Sequence, residues 1–331
     1  MKRIFSLLMI VALVLTTFAF AGCGKKEATE EVSTLKLGLG IYTTASATDA
    51  TEDKDGNGQA TSTIATVLVD DEGKIVKAFI DCADNKVGYT FEGKAVANDK
   101  FVTKYEAGND YNMVAYGGAQ AEWFEQADAF CSVVVGKTSA EVLALIAEDY
   151  KGTEEVVNAG CTIYVSDFAK AVEKAIANAT EANVTAENTL KLGVYTTQTT
   201  EDATEDKAGS NKVTTTVFAA AVDAEGKVVS ATTDAVEVSF GFELDGTTTY
   251  DDASAILTKR EKGDDYGMKA YAGSALEWYE QADAFDAACE GKTGAEIAGL
   301  MAEDYKGVED LQSAGCTIYV SDFVGAAVKI G

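Results

Sequence analysis

The chain carries one long sequence twice. Thr34-Leu35-Lys36-Leu37-Gly38 returns 155 residues later as Thr189-Leu190-Lys191-Leu192-Gly193. Later landmarks keep that spacing: EWFEQADAF at 122–130 returns as EWYEQADAF at 277–285, AEDYKG at 147–152 returns at 302–307, and AGCTIYVSDF at 159–168 returns at 314–323. A unit of roughly 145 residues is too long for a solenoid repeat and is the size of a domain with its own core. The expected organisation is therefore two repeat domains, 34–180 and 189–331, joined by a polar linker at 181–188 (EANVTAEN).

Within each copy the pattern runs from strands to helices. Residues 61–80 alternate around Asp71-Glu72-Gly73, and the second copy does the same around Ala224-Glu225-Gly226. Alternating β-branched residues broken by a glycine-containing turn predict a hairpin with one buried face. Trp123, Ala127, Phe130 and Val134 then recur at helical spacing, which predicts a long helix ended by Gly136. Thr138-Ser139-Ala140-Glu141 and Thr293-Gly294-Ala295-Glu296 are capping boxes that predict a second helix. Residues 161–165 read as a buried strand, and Ser166-Asp167 and Ser321-Asp322 as caps of a terminal helix. Strands first and helices later predict an α+β fold, each copy an antiparallel sheet followed by packed helices.

The N-terminus sets the expected compartment. Lys2 and Arg3 precede an apolar run from Ile4 to Phe20, and small residues Ala21 and Gly22 lead to Cys23. These are the parts of a secretory signal, 1–22. Phe20-Ala21-Gly22-Cys23 resembles the bacterial lipobox. That resemblance implies a diacylglyceryl group on Cys23 and a polar tether over 23–33, holding the protein by lipid to the outer face of the cytoplasmic membrane. An uncleaved membrane helix is the competing reading of the same run. The sequence has 54 acidic and 27 basic residues, a formal charge of −27. A surface of that sign repels phosphate backbones, so nucleic acid is not an expected partner. With no histidine in the sequence, imidazole-dependent triads and His-containing zinc sites are excluded.

The segment before the long helix is the candidate ligand site. The first copy offers Tyr111, Met113, Tyr116, Gly117, Gly118 and Trp123, and the second offers Tyr266, Met268, Tyr271, Gly273, Ser274 and Trp278. Small residues let a backbone approach a ligand, and aromatic and thioether side chains can flank a planar ring. The competing reading is that these side chains pack the domain's own core and the glycines make a tight turn. Asp53, Asp55 and Asn57, with Gly58 nearby, match the first half of a calcium-binding loop, against the simpler reading of a polar loop at a sheet edge. Glu122, Glu125 and Asp128, with Glu277, Glu280 and Asp283, read as solvent-facing acids on the long helix. Cys131 and Cys161, and likewise Cys289 and Cys316, are placed for one disulfide per copy or for buried free thiols, with Cys82 left over. No Cys-x-x-Cys pair supports redox catalysis by thiols.

Gly38 to Tyr42, the Gly-Lys-Ile and Gly-Lys-Val hairpin turns and the glycine-rich turn into a helix resemble the FMN-binding domain of bacterial surface flavoproteins. The chain as a whole is similar to tandem-repeat surface lipoproteins of anaerobic Gram-positive bacteria. In covalent flavin carriers an acceptor Thr or Ser follows a small-residue turn, and here that place holds Gln120 and Ala275. The resemblance thus implies FMN held without a covalent bond, or a related fold that holds none. The expected function is a surface lipoprotein with two ligand-binding domains, taking a small planar ligand such as flavin and serving extracellular electron transfer. The alternative is an interaction or scaffold lipoprotein recognising an envelope component; an enzyme is the third reading, since without histidine, metal cluster or activated nucleophile a hydrolase would need a buried carboxylate pair.

Overall fold

A computed structural model describes residues 34–98, 100–251 and 255–331. The signal segment, Cys23 and the tether to residue 33 lie outside the described residues. Three long antiparallel strands open each copy: Leu35–Thr48 (β1), Gly56–Val69 (β2) and Ile75–Tyr89 (β3) in the first. The short Ala95–Val96 (β4) and the later Thr180–Val184 (β5) complete a sheet of order β4-β3-β2-β1-β5. The second copy contributes Thr189–Glu201 (β6), Gly209–Val222 (β7) and Val228–Phe242 (β8), in the order β6-β7-β8. The hairpin turns fall where expected, with Gly73 at φ +75° and Gly226 at φ +76°, a conformation that an L side chain resists.

Helices follow the strands. The first copy has Lys104–Ala107 (α1), Trp123–Val134 (α2), Ser139–Leu143 (α3), Glu154–Asn158 (α4) and Ser166–Ala177 (α5). The second has Lys259–Lys262 (α6), Met268–Ala272 (α7), Trp278–Cys289 (α8), Gly294–Ile297 (α9), Glu309–Ser313 (α10) and Ser321–Ala327 (α11). The mixed α+β architecture expected from the sequence is the one observed. The Trp123, Ala127, Phe130 and Val134 stripe is buried, and both predicted capping boxes form. Two local expectations differ. Residues 161–165 form no strand: the segment bends at Ile163 and makes a single bridge, between Tyr164 and Lys151. Ser166 and Ser321 are the first helical residues of α5 and α11, and each hydroxyl donates to the neighbouring Asp167 or Asp322 instead of capping.

The larger difference concerns the boundary between copies. Residues expected to form the linker continue the first sheet: Leu35 pairs with Val184 and Lys36 with Glu181. The described residues from 34 to 331 form one compact unit. Leu39, Ile41, Ile64 and Ala83 of the first sheet pack against Val194, Val217, Ala219 and Val236 of the second. Further clusters join Leu35, Leu37 and Leu68 to Leu190 and Ala221, and Ala60 and Val87 to Val213, Val238 and Phe240. The outer faces are covered by helices, α2 and α5 over the first sheet and α8 and α11 over the second. Both faces of the central strands are therefore buried, not one. Gly38 and Gly40 explain how α5 comes so close: a Cβ at either place would lie 2.0 or 2.1 Å from the carbonyl oxygens of Ala175 and Ala171. Gly193 meets Ala326 in the same way, at 2.0 Å. No helix among the described residues is long and apolar enough to cross a membrane.

Candidate ligand pocket

A cleft of about 460 Å³ opens on the helix-covered side of the first sheet, within the size range of small-molecule sites. Its floor comes from Thr61, Thr63 and Cys82 on β2 and β3. Tyr111, Met113, Trp123 and Phe168 supply apolar walls, and Lys104, Lys151, Thr162–Tyr164 and Asp167 complete the lining.

Local chemistry fixes each wall. Thr103 caps α1 by accepting from the Glu106 amide at 3.1 Å, while Glu106 accepts from the Thr103 amide at 3.1 Å. The Tyr105 amide donates to buried Asp81 at 3.0 Å, which fastens α1 to β3. Burial raises the Asp81 pKa against the hydrogen bonds from Thr103, Tyr105 and Cys82. So anchored, α1 sets the Lys104 ammonium 5.3 Å from the Tyr111 ring centroid and 5.7 Å from that of Trp123, both within cation–π range. Burial works against the Lys104 charge, but Cys82, Tyr111 and Asp84 outweigh it and its pKa stands above the ordinary value. Trp123 is held edge-on against Phe168, centroids 5.5 Å apart and planes at 90°.

The opposite wall hangs on Gln126, which is fully buried. Its Oε1 accepts from the Thr162 amide at 2.9 Å and the Thr162 hydroxyl at 3.0 Å, and its Nε2 donates to the Ala121 carbonyl at 3.0 Å. The wall thus rests on the first turn of α2. Glu122 also departs from the expectation of a solvent-facing acid. It is 7 % exposed and accepts from the amides of Met113 and Val114 at 2.8 and 3.0 Å, holding the segment that carries Tyr111 and Met113. Glu277 repeats this with Met268 and Lys269 at 2.8 and 3.1 Å. The one available signal was the repetition of Glu122 and Gln126 in both copies; spacing alone could not show that they are buried.

The predicted site residues divide. Tyr111, Met113 and Trp123 come together at the cleft. Tyr116, Gly117 and Gly118 do not line it. Tyr116 is 88 % exposed, Gly118 has φ +67°, and a Cβ on Gly117 would lie 2.6 Å from the Met113 carbonyl oxygen. The glycines make a tight turn. Tyr271 is likewise exposed and Gly273 sits at φ +65°, while the Ser274 hydroxyl accepts from Gln281 at 3.2 Å. Tyr266 and Met268 pack on the second outer core beside Trp278. Asp53 lies in a turn bridged by Thr51 and Lys54, Asp55 follows it, and Asn57 is already within β2, paired with Thr48 and Gly88. That is a hairpin turn, not the coiled loop a calcium hand needs. No cluster of three His, Cys, Asp or Glu side chains able to hold a metal occurs among the described residues. The five described cysteines are free and buried, so neither copy carries the disulfide that its spacing allowed.

The second copy rebuilds the same frame. Lys259 lies 4.9 Å from the Tyr266 ring and 5.3 Å from Trp278, Trp278 meets Phe323 at 5.4 Å, and Gln281 accepts from the Thr317 amide at 2.9 Å. One lining position changes, Cys82 on β3 becoming Ala235 on β8, and Asp84, which accepts from the lining Thr61, becomes Glu237.

Comparison with known proteins finds a chlorophenol reductase of Desulfitobacterium hafniense, 33 % identical over 125 residues, which are 34 % of this chain and 38 % of the relative. The chain thus aligns with well under half of that protein's length. No known family profile and no solved structure matches the chain.

Proposed function

We propose that this chain is a cell-surface lipoprotein whose first-copy cleft binds a planar aromatic ligand without a covalent bond, FMN being the leading case, and that it serves electron transfer outside the cytoplasmic membrane. The observation that carries this reading is the cleft itself: about 460 Å³ walled by Tyr111, Trp123 and Phe168, with the Lys104 ammonium over two of the rings. Aromatic walls stack on a flat ring system, and a cation beside them favours one that carries negative charge. The relative's name describes a reductase acting on chlorophenol, itself a planar aromatic, which supports a redox setting. The lipobox-like Phe20-Ala21-Gly22-Cys23 supports the surface placement.

Titration of FMN into soluble fragment 34–331, followed by quenching of flavin fluorescence, tests the ligand. Saturable quenching that Trp123→Ala weakens at least tenfold is expected, and a fragment indifferent to FMN would overturn the flavin reading. Release of Cys23→Ala protein from cell membranes tests the anchor. A second reading, attachment to an envelope polymer, is favoured by Tyr116 and Tyr271, 88 % and 89 % exposed at matching places. Loss of polymer binding in the double Tyr→Ser variant, with FMN binding intact, would select it.

A further inference from the structure

The two copies build nearly the same frame around the cleft position, yet their electrostatics differ. In the second copy, Lys259 Nζ lies 3.1 Å from a Glu237 carboxylate oxygen, with only 11 % and 21 % of the two side chains exposed. In the first copy, Asp84 stands at the tenth position of β3 as Glu237 does at the tenth of β8. Asp84 is one methylene shorter and is engaged elsewhere: it accepts from Gln59 Nε2 at 2.6 Å and from the Thr61 hydroxyl at 3.0 Å. Among the described residues no carboxylate comes within 4.0 Å of Lys104 Nζ; it lies over the Tyr111 and Trp123 rings, and Asp84 favours its charge only from beyond that distance. Lys151 matches Lys306 and Asp167 matches Asp322, but two second-copy cations have no counterpart: Lys212, 3.9 Å from Glu237 and sharing that carboxylate with Lys259, stands where the first copy has Gln59, and Lys262, 5.8 Å from the Tyr266 ring, where it has Ala107. A half-buried ammonium with aromatic neighbours and no close carboxylate gains most from an anion brought by a ligand. An ammonium already paired gains little, and an incoming anion would face the Glu237 charge as well.

We infer that the chain takes one anionic aromatic ligand, not two: an aromatic acid enters the first cleft with its anionic group at Lys104, while Glu237 fills the corresponding place at Lys259 as a built-in counter-ion. The inference rests on the proposed ligand-binding reading of the cleft and adds the ligand's charge and the stoichiometry. Residues Asp84 and Glu237 become the determinants of which copy binds.

The probes are 2-naphthoate and its uncharged, equally flat analogue 2-naphthamide, titrated calorimetrically at pH 7 into fragment 34–331. One equivalent of naphthoate is expected, bound at least tenfold more tightly than the amide. Asp84→Glu should weaken naphthoate about tenfold or more, and Glu237→Ala should raise the stoichiometry to two. Lys104→Met should abolish the preference for the acid while the amide still binds, a readout that a misfolded variant would not give. Two equivalents in the unaltered protein, equal affinity for acid and amide, or an unchanged preference in Lys104→Met would each overturn the inference. Naphthoate binding with these features and no FMN binding would sustain it while defeating the flavin reading. Two equivalents of FMN would do the reverse.

Discussion

Tyr89 and Phe242 end the third long strand of their respective copies, and they stack on each other, ring centroids 4.6 Å apart and planes 4° from parallel. A residue that touches its own repeat equivalent lies on a pseudo-twofold axis, as at the centre of an isologous dimer interface. The backbone around this axis is reciprocal too: the Ala50 amide donates to the Gly246 carbonyl at 2.9 Å, and the Ala203 amide to the Gly93 carbonyl at 2.8 Å. The duplicated chain is thus built like a two-fold dimer whose halves share one polypeptide. Its inner sheet faces form a core that neither copy possesses alone.

Residues 34–184 expressed by themselves would therefore expose the apolar face of Leu37, Leu39, Ile41 and Ile64. The expected outcome is a fragment that aggregates or pairs with a second copy of itself, seen by sedimentation. A folded monomer, with dispersed amide resonances at low concentration, would contradict the shared core.

Gln126 should be as important to the cleft as the residues that line it. Gln126→Leu leaves the Thr162 amide and hydroxyl without their acceptor, at a cost of about 1–3 kcal/mol in urea unfolding. Ligand affinity should fall with it, because the Thr162–Tyr164 wall loses its tether. Gln281→Leu removes the matching bonds to Thr317, so it should cost similar stability and leave ligand affinity unchanged.

A buried cluster in the second copy makes stability depend on pH. Asp286 accepts from the Thr233 amide at 2.9 Å, from the Thr233 hydroxyl, and from Arg260 at 3.0 Å. Burial nevertheless outweighs Arg260 and Thr233 and raises its pKa from 3.8 to about 6, and burial does the same to Asp234 against Thr258 and Arg260. Between these limits the native state holds a proton that the unfolded chain has released, so stability falls as pH rises from about 4 to 6. The loss is of order 2–3 kcal/mol for each group. Urea midpoints across that window should therefore decline less steeply in Asp286→Asn than in the unaltered protein. Equal slopes would show that the carboxyl is ionised throughout.

The thiols should be inert in the native protein. Burial pushes Cys82 and Cys316 up to about 12 and Cys161 to about 11, and raises Cys131 and Cys289 as well. Thiolate is the reactive form, so iodoacetamide at pH 8 should label none of these five until urea unfolds the chain. Rapid labelling of the native state would mean that the outer cores open readily.

Much of this architecture is written locally. The capping boxes at Thr138 and Thr293, the Trp123–Val134 stripe and the glycine turns at 73 and 226 depend on neighbours a few residues away, and periodicity reveals them. The two-sided burial of the strands had a weaker signature, the run Ala65-Thr66-Val67-Leu68-Val69, apolar at every place but Thr66, which approaches what a strand covered on both faces carries.

Sequence by itself determined the duplication, the β2–β3 and β7–β8 hairpins ahead of the main helices and the helix that bears Trp123 and Gln126, because each follows from residue type and spacing over short range. Tertiary structure alone decided that the copies meet sheet to sheet, that Tyr111 and Trp123 join Lys104 at one cleft while Tyr116 turns to solvent, and that Glu237 reaches Lys259 where Asp84 does not reach Lys104. Those outcomes depend on which apolar faces find each other across distant segments, and on a carboxylate carried one methylene further. Neither is encoded in any single stretch of chain.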